Sequence, residues 1–107
     1  MKRVLFVCSQ NRLRSPTAEQ IFSSRKDIEV SSAGTDHDAR NSLDTEKVGW
    51  ADIIFVMEKT HRNKILRKYR NYLIGKKLIC LDIPDEYEFM EPALVRILED
   101  RVPRHLL

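Results

Sequence analysis

Four short apolar runs alternate with segments of helical period along the whole chain, and this alternation constrains the fold more than any other feature. The runs cover residues 3–7, 28–32, 52–57 and 77–81. An unbroken apolar run of this length reads as a strand buried on both faces. Between and after them, residues 15–22, 45–50, 60–72 and 92–101 read as helices. Pro16 suits the first helical position, where its missing N–H has no intrahelical acceptor to satisfy, and Pro92 stands near the start of the last helix. Asp44 or Ser42 is the N-cap of the short second helix. A β-α-β-α-β-α-β-α order predicts an α/β fold: a four-stranded parallel sheet with right-handed crossovers and helices on both faces. At 107 residues the chain is expected to form a single domain, 1–107.

In such sheets ligands sit beyond the carboxyl ends of the strands. The turn after strand one is therefore the first place to look for chemistry. It reads Cys8-Ser9-Gln10-Asn11-Arg12-Leu13-Arg14-Ser15-Pro16. A cysteine ends a buried strand, an arginine follows six residues later at the mouth of a helix, and a serine comes next. Each element has a use if the ligand is a phosphate. The loop from Ser9 to Ser15 and the helix N-terminus present backbone N–H groups, and the helix dipole adds partial positive charge. Arg14 supplies a planar fork that matches two phosphate oxygens. The same field favours the thiolate of Cys8, the nucleophilic form. Ser15 can donate a hydrogen bond to that sulfur. A lone cysteine here would read as a small buried hydrophobe. The combination of Cys, five residues, Arg and Ser in a strand–loop–helix context reads as a phosphate-binding loop.

At these residues the chain resembles the low-molecular-weight protein tyrosine phosphatases. The resemblance rests on Val7-Cys8 through Arg14-Ser15-Pro16, including Asn11. It continues in Ser32-Ala33-Gly34-Thr35, in Ala51-Asp52-Ile53-Ile54 through Met57, and in Ile83-Pro84-Asp85-Glu86-Tyr87. It implies a metal-free, cofactor-free cysteine phosphatase, short relative to typical members, that acts on phosphotyrosine or other aryl phosphates. Cys8 would attack phosphorus and form a phosphocysteine, and Arg14 with the loop N–H groups would hold the equatorial oxygens. Asn11 would fix the loop by bonding to Ser32. The general acid would come from the loop after strand four, where Asp85 matches best and Asp82, nearer the strand end, is the rival. Tyr87 either lines the substrate mouth or packs as a loop tyrosine.

The chain departs from the family pattern at three loop positions. Gln10 stands where Gly is usual, and Leu13 stands where a second cysteine is usual. That leaves no thiol in the loop to resolve an oxidised Cys8. Arg12 replaces an apolar residue and adds charge at the pocket rim. The region between Thr35 and Trp50 is shortened.

Two other readings compete. Thiol-dependent arsenate reductases share the Cys–Arg loop but relay oxidation to further cysteines, and the only other cysteine here is Cys80. The second is a phospholigand-binding module without turnover. The basic stretch 59–70 could serve such a module, although a charge run of this kind is ordinarily a solvated helix face. A net charge of +3 suits an anionic substrate without marking a nucleic-acid protein. Hence the expected partner is a phosphorylated protein or a small aryl phosphate, with no nucleic acid and no membrane. His37, in Asp36-His37-Asp38, lacks a second ligand at metal-binding spacing. The opening Met1-Lys2-Arg3 precedes an apolar run too short for a signal peptide, which points to a cytoplasmic protein. Nothing in the sequence fixes an oligomeric state.

Overall fold

A computed structural model describes residues 1–107. The strands are β1 (Lys2–Cys8), β2 (Ile28–Gly34), β3 (Ile53–Val56) and β4 (Lys77–Cys80). The helices are α1 (Arg14–Phe22), α2 (Thr45–Trp50), α3 (Lys59–Tyr69) and α4 (Pro92–Arg101), with a 3-10 turn at Arg70–Tyr72 and another at Pro103–His105. All strand pairs are parallel, in the order β2-β1-β3-β4. The chain leaves β1 toward β2 on one side and returns to β3 on the other. The switch in strand order therefore falls between β1 and β3, where the carboxyl ends diverge and leave a crevice.

Alternate residues of the central strands bury against opposite layers. Val4, Phe6 and Cys8 face α1 and α4, together with Ile53, Phe55, Leu94 and Leu98. Leu5 and Val7 face α2 and α3, together with Ile54, Val48, Ile65 and Tyr69. Phe6 stacks on Phe22 at 5.7 Å and on Phe55 at 5.4 Å between ring centroids. Each such fully buried side chain contributes about 1.5–3 kcal/mol.

Several boundaries differ from the sequence expectation. α1 begins at Arg14, so Pro16 is its third residue, still within the first turn where N–H groups lack intrahelical partners. β2 runs on through Ala33 and Gly34 because they pair with Val7 and Cys8. The third long helix tightens into the 3-10 turn at Arg70. Asp44, rather than Ser42, caps α2, its carboxylate accepting from the Lys47 N–H at 2.8 Å. No helix is long and apolar enough to cross a membrane.

Candidate active site

β1 ends in the crevice, and residues 9–13 wrap from its end to α1. Neighbouring segments turn the loop carbonyls outward. The oxygens of Cys8, Ser9 and Gln10 accept from the N–H groups of Thr35 (2.8 Å), Asp36 (3.0 Å) and Arg40 (3.1 Å). None of the N–H groups of residues 9–13 donates to another part of the chain. They remain free to bind an anion. Asn11 adopts φ 56°, a left-handed conformation that Asn tolerates better than most residues. Gly34 lies against the loop so closely that a Cβ there would sit 2.5 Å from the Ser9 carbonyl oxygen and from the Ala39 Cβ.

The Cys8 sulfur is buried and lies 2.9 Å from Ser15 Oγ. The Asn11 amide donates to the same Ser15 oxygen at 2.9 Å. Ser15 thus accepts from Asn11, and its own proton has the sulfur at 2.9 Å and the Ala33 carbonyl oxygen at 3.5 Å as acceptors. The expected Asn11–Ser32 bond is absent. Ser32 Oγ instead donates to the Glu19 carboxylate, and the Asn11 amide donates to Ser15 within its own loop. The Ser32 hydroxyl therefore does not act on the loop as expected.

Arg14 is 3% exposed. Its Nη1 donates to Glu58 Oε2 and to the Ile83 carbonyl oxygen, both at 2.7 Å. That leaves Nε and Nη2, the other edge of the fork, for a bidentate ligand. Asp85 Oδ1 lies 3.8 Å from Nε. Asp85 lines a small cleft of about 110 Å3 over Cys8, with Ser9, Gln10, Arg12, Leu13 and Arg14. Asp82 does not line it. Its carboxylate accepts from the Cys80 thiol at 3.3 Å, and Arg101 holds its carbonyl. Cys80 is likewise remote: β3 separates β4 from β1. Burial raises the Cys80 thiol pKa above its usual value. Tyr87 packs half-buried against the core rather than lining the cleft, because its ring finds apolar contact there.

Two residues that contact the loop carried no signal in its motif: Glu58 and His61. Both follow β3, at the carboxyl end beside the switch point, where strand topology alone directs attention. The Glu58 N–H donates to His61 Nδ1 at 3.1 Å, which makes Nδ1 an acceptor. Burial, with the Arg14 cation second, lowers the His61 pKa to about 4, so the ring is neutral near pH 7. The proton therefore sits on Nε2, which donates to Ser9 Oγ at 2.8 Å. Ser9 in turn keeps its own proton free to donate. Gln10, in the usual Gly position, ties the loop outward through its Nε2 to Asp36 at 2.5 Å.

A thiol at the floor of a nest of free N–H groups, with an arginine fork and a carboxyl group beside it, forms a concave site suited to a tetrahedral anion on a parallel α/β fold. The family described as low molecular weight phosphotyrosine protein phosphatase matches residues 3–49, which contain the whole loop. No curated protein sequence matches the chain. The YwlE arginine phosphatase from Geobacillus stearothermophilus is 22% identical, with a TM-score of 0.79 over 99% of this chain and 93% of that one. A low molecular weight protein tyrosine phosphatase from T. tengcongensis is 26% identical, with a TM-score of 0.72 over 94% and 92%. The tyrosine phosphatase Wzb from Escherichia coli K30, solved in complex with phosphate, is 21% identical, with a TM-score of 0.71 over 92% and 91%. The chain resembles the low molecular weight phosphatases in sequence over residues 3–49 and in fold over almost its full length.

Proposed function

We propose that the chain is a cysteine-dependent phosphomonoester hydrolase acting on phosphotyrosine or other aryl phosphates. The observation that carries this reading is the placement of Cys8, Arg14 and Asp85 around one cleft roomy enough for a phosphoryl group. The Cys8 thiolate attacks phosphorus, forming an S–P bond as the P–O bond to the aryl group breaks. Asp85 gives its proton to the departing phenolate oxygen. The loop N–H groups and the Nε/Nη2 edge of Arg14 stabilise the equatorial oxygens in both displacements. Asp85, now ionised, takes a proton from a water that attacks phosphorus, and the S–P bond breaks. Inorganic phosphate leaves, and the Ser15 hydroxyl stabilises the released thiolate. Ser9, Gln10, Asn11, Arg12 and Leu13 contribute backbone N–H groups. Asn11, Ser15 and His61 are positioning residues.

Solved relatives of this fold include both arginine and tyrosine phosphatases by name. Arg12 is exposed and lines the cleft. Its charge is unfavourable beside the guanidinium part of a phosphorylated arginine and tolerates the uncharged ring of an aryl phosphate, which favours aryl phosphates. The test is hydrolysis of p-nitrophenyl phosphate, with EDTA present, by wild type and by Cys8→Ser, Asp85→Ala and Asp82→Ala variants. Cys8→Ser should be inactive, Asp85→Ala slowed by roughly 10²-fold or more, and Asp82→Ala close to wild type. Turnover by Cys8→Ser, or a greater loss in Asp82→Ala than in Asp85→Ala, overturns the assignment.

A further inference from the structure

Charge is divided unevenly along this chain. Residues 59–81 hold eight Lys and Arg and no Asp or Glu, while the other 84 residues hold 11 Lys and Arg against 16 Asp and Glu. The basic segment includes α3, and α3 forms one wall of a groove of about 410 Å3. That is within the range of real ligand sites. Its floor is apolar: Leu43, Ile65 and Tyr69. Its wall is cationic: Lys64, Arg67 and Lys68. Lys64 is ion-paired to Asp36 at 3.4 Å, whereas Arg67 and Lys68 have no carboxylate partner.

The groove adjoins the catalytic loop. Thr35 lines it and donates its N–H to the Cys8 carbonyl, and the next residue, Asp36, bonds Gln10 of the cleft. A chain whose phosphorylated residue enters the cleft can therefore continue across Asp36 into the groove. We propose that this groove is a docking site for an acidic segment of the phosphorylated protein substrate, with an apolar side chain on the floor and carboxylates against Arg67 and Lys68. This rests on the phosphatase reading and names the substrate class: phosphoproteins with acidic residues flanking the phosphorylated one. Charge complementarity and continuity with the cleft select this occupant. A single-stranded nucleic acid would need an exposed aromatic face for stacking, but Tyr69 is buried and its hydroxyl is tied to the Leu43 carbonyl at 3.1 Å. A bilayer would need a protruding apolar face, and this site is recessed.

Two measurements test it. The first is fluorescence anisotropy of a labelled, unphosphorylated peptide of Glu and Asp around a central Leu, with wild type and an Arg67→Glu/Lys68→Glu variant. The second is kcat/KM for two phosphotyrosine peptides, one flanked by Glu and one by Ser, with p-nitrophenyl phosphate as the control. Wild type should bind the acidic peptide, and binding should weaken roughly tenfold in the variant and again on raising salt from about 0.05 M to about 0.5 M. The Glu-flanked phosphopeptide should be preferred roughly tenfold by wild type and not by the variant, with p-nitrophenyl phosphate turnover unchanged. Equal peptide binding by wild type and variant overturns the proposal. So does binding of a phosphatidylserine vesicle or an oligonucleotide where the acidic peptide does not bind. Peptide binding without hydrolysis of any phosphomonoester would keep the docking site and remove the phosphatase reading; hydrolysis without peptide selectivity would do the reverse.

Discussion

Glu58 is the anchor of Arg14, and replacing it with glutamine isolates the charge from the hydrogen bond. The Arg14 guanidinium is 3% exposed, and Glu58 Oε2 is its nearest carboxylate oxygen at 2.7 Å. Removing one partner of a buried pair costs about 3–5 kcal/mol when the other charge is left uncompensated. Here Glu58 itself is 39% exposed, the Ile83 carbonyl still accepts from Nη1, and Asp85 lies 3.8 Å from Nε. Solvent and these groups reduce the loss to about 1–2 kcal/mol. For a chain of this size that lowers Tm by roughly 5–10 °C. Bound phosphate restores the missing negative charge at Arg14. Thermal melts with and without saturating inorganic phosphate should therefore show a larger phosphate-induced rise in Glu58→Gln than in wild type. In Glu58→Ala, where the side-chain acceptor is lost as well, Arg14 keeps only the Ile83 carbonyl to orient it and kcat/KM should fall roughly tenfold or more. A Glu58→Gln protein that melts within about 1 °C of wild type, or gains less from phosphate, refutes the reasoning.

His61 makes stability pH-dependent. Its pKa in the folded chain is lowered to about 4, from 6.5 for a free histidine, so the unfolded chain binds the extra proton between those values. Stability from the neutral ring is complete above about pH 6.5 and is lost as pH falls toward 4. Unfolding free energies from urea melts should fall over that window in wild type, by roughly 1–3 kcal/mol, and less in His61→Gln; parallel pH profiles would remove this role. Gly34→Ala places a Cβ 2.5 Å from the Ser9 carbonyl oxygen, which forces the loop to move. It should cost about 1–3 kcal/mol in a urea melt and weaken phosphate binding, whereas Gly49→Ala, with open space around it, should leave phosphate binding intact.

Much of this was readable before any coordinates. β1, α2 and α4 are marked by an unbroken apolar run, a capping aspartate and a proline near the helix start, signals that act within a few residues. The loop from Cys8 to Ser15 is also local, so its residue types announce their chemistry. What the sequence left open depends on contacts between distant segments. The family resemblance pairs Ser32 with Asn11, and the approach of α1 to β2 brings the Glu19 carboxylate to Ser32 instead. Glu58 and His61 lie 44 and 52 residues from their partners Arg14 and Ser9, and no spacing rule links them. Which of Asp85 and Asp82 lines the cleft depends on the path of the loop after β4. The Ile83 N–H bonds the Met57 carbonyl, and the Ile83 carbonyl accepts from Arg14, which brings Asp85 to the cleft that Cys8 lines.

The central claim is that phosphorus passes through the Cys8 sulfur. Rapid mixing of wild-type protein with p-nitrophenyl phosphate, quenching within the first turnover and mass analysis of the intact chain and its fragments tests this directly. The account predicts one phosphoryl group on the fragment containing Cys8. The adduct should accumulate in Asp85→Ala if water attack becomes the slower step, and be absent from Cys8→Ala. Turnover with no phosphoryl group on Cys8 at any quench time, or hydrolysis that continues in Cys8→Ala, would contradict it.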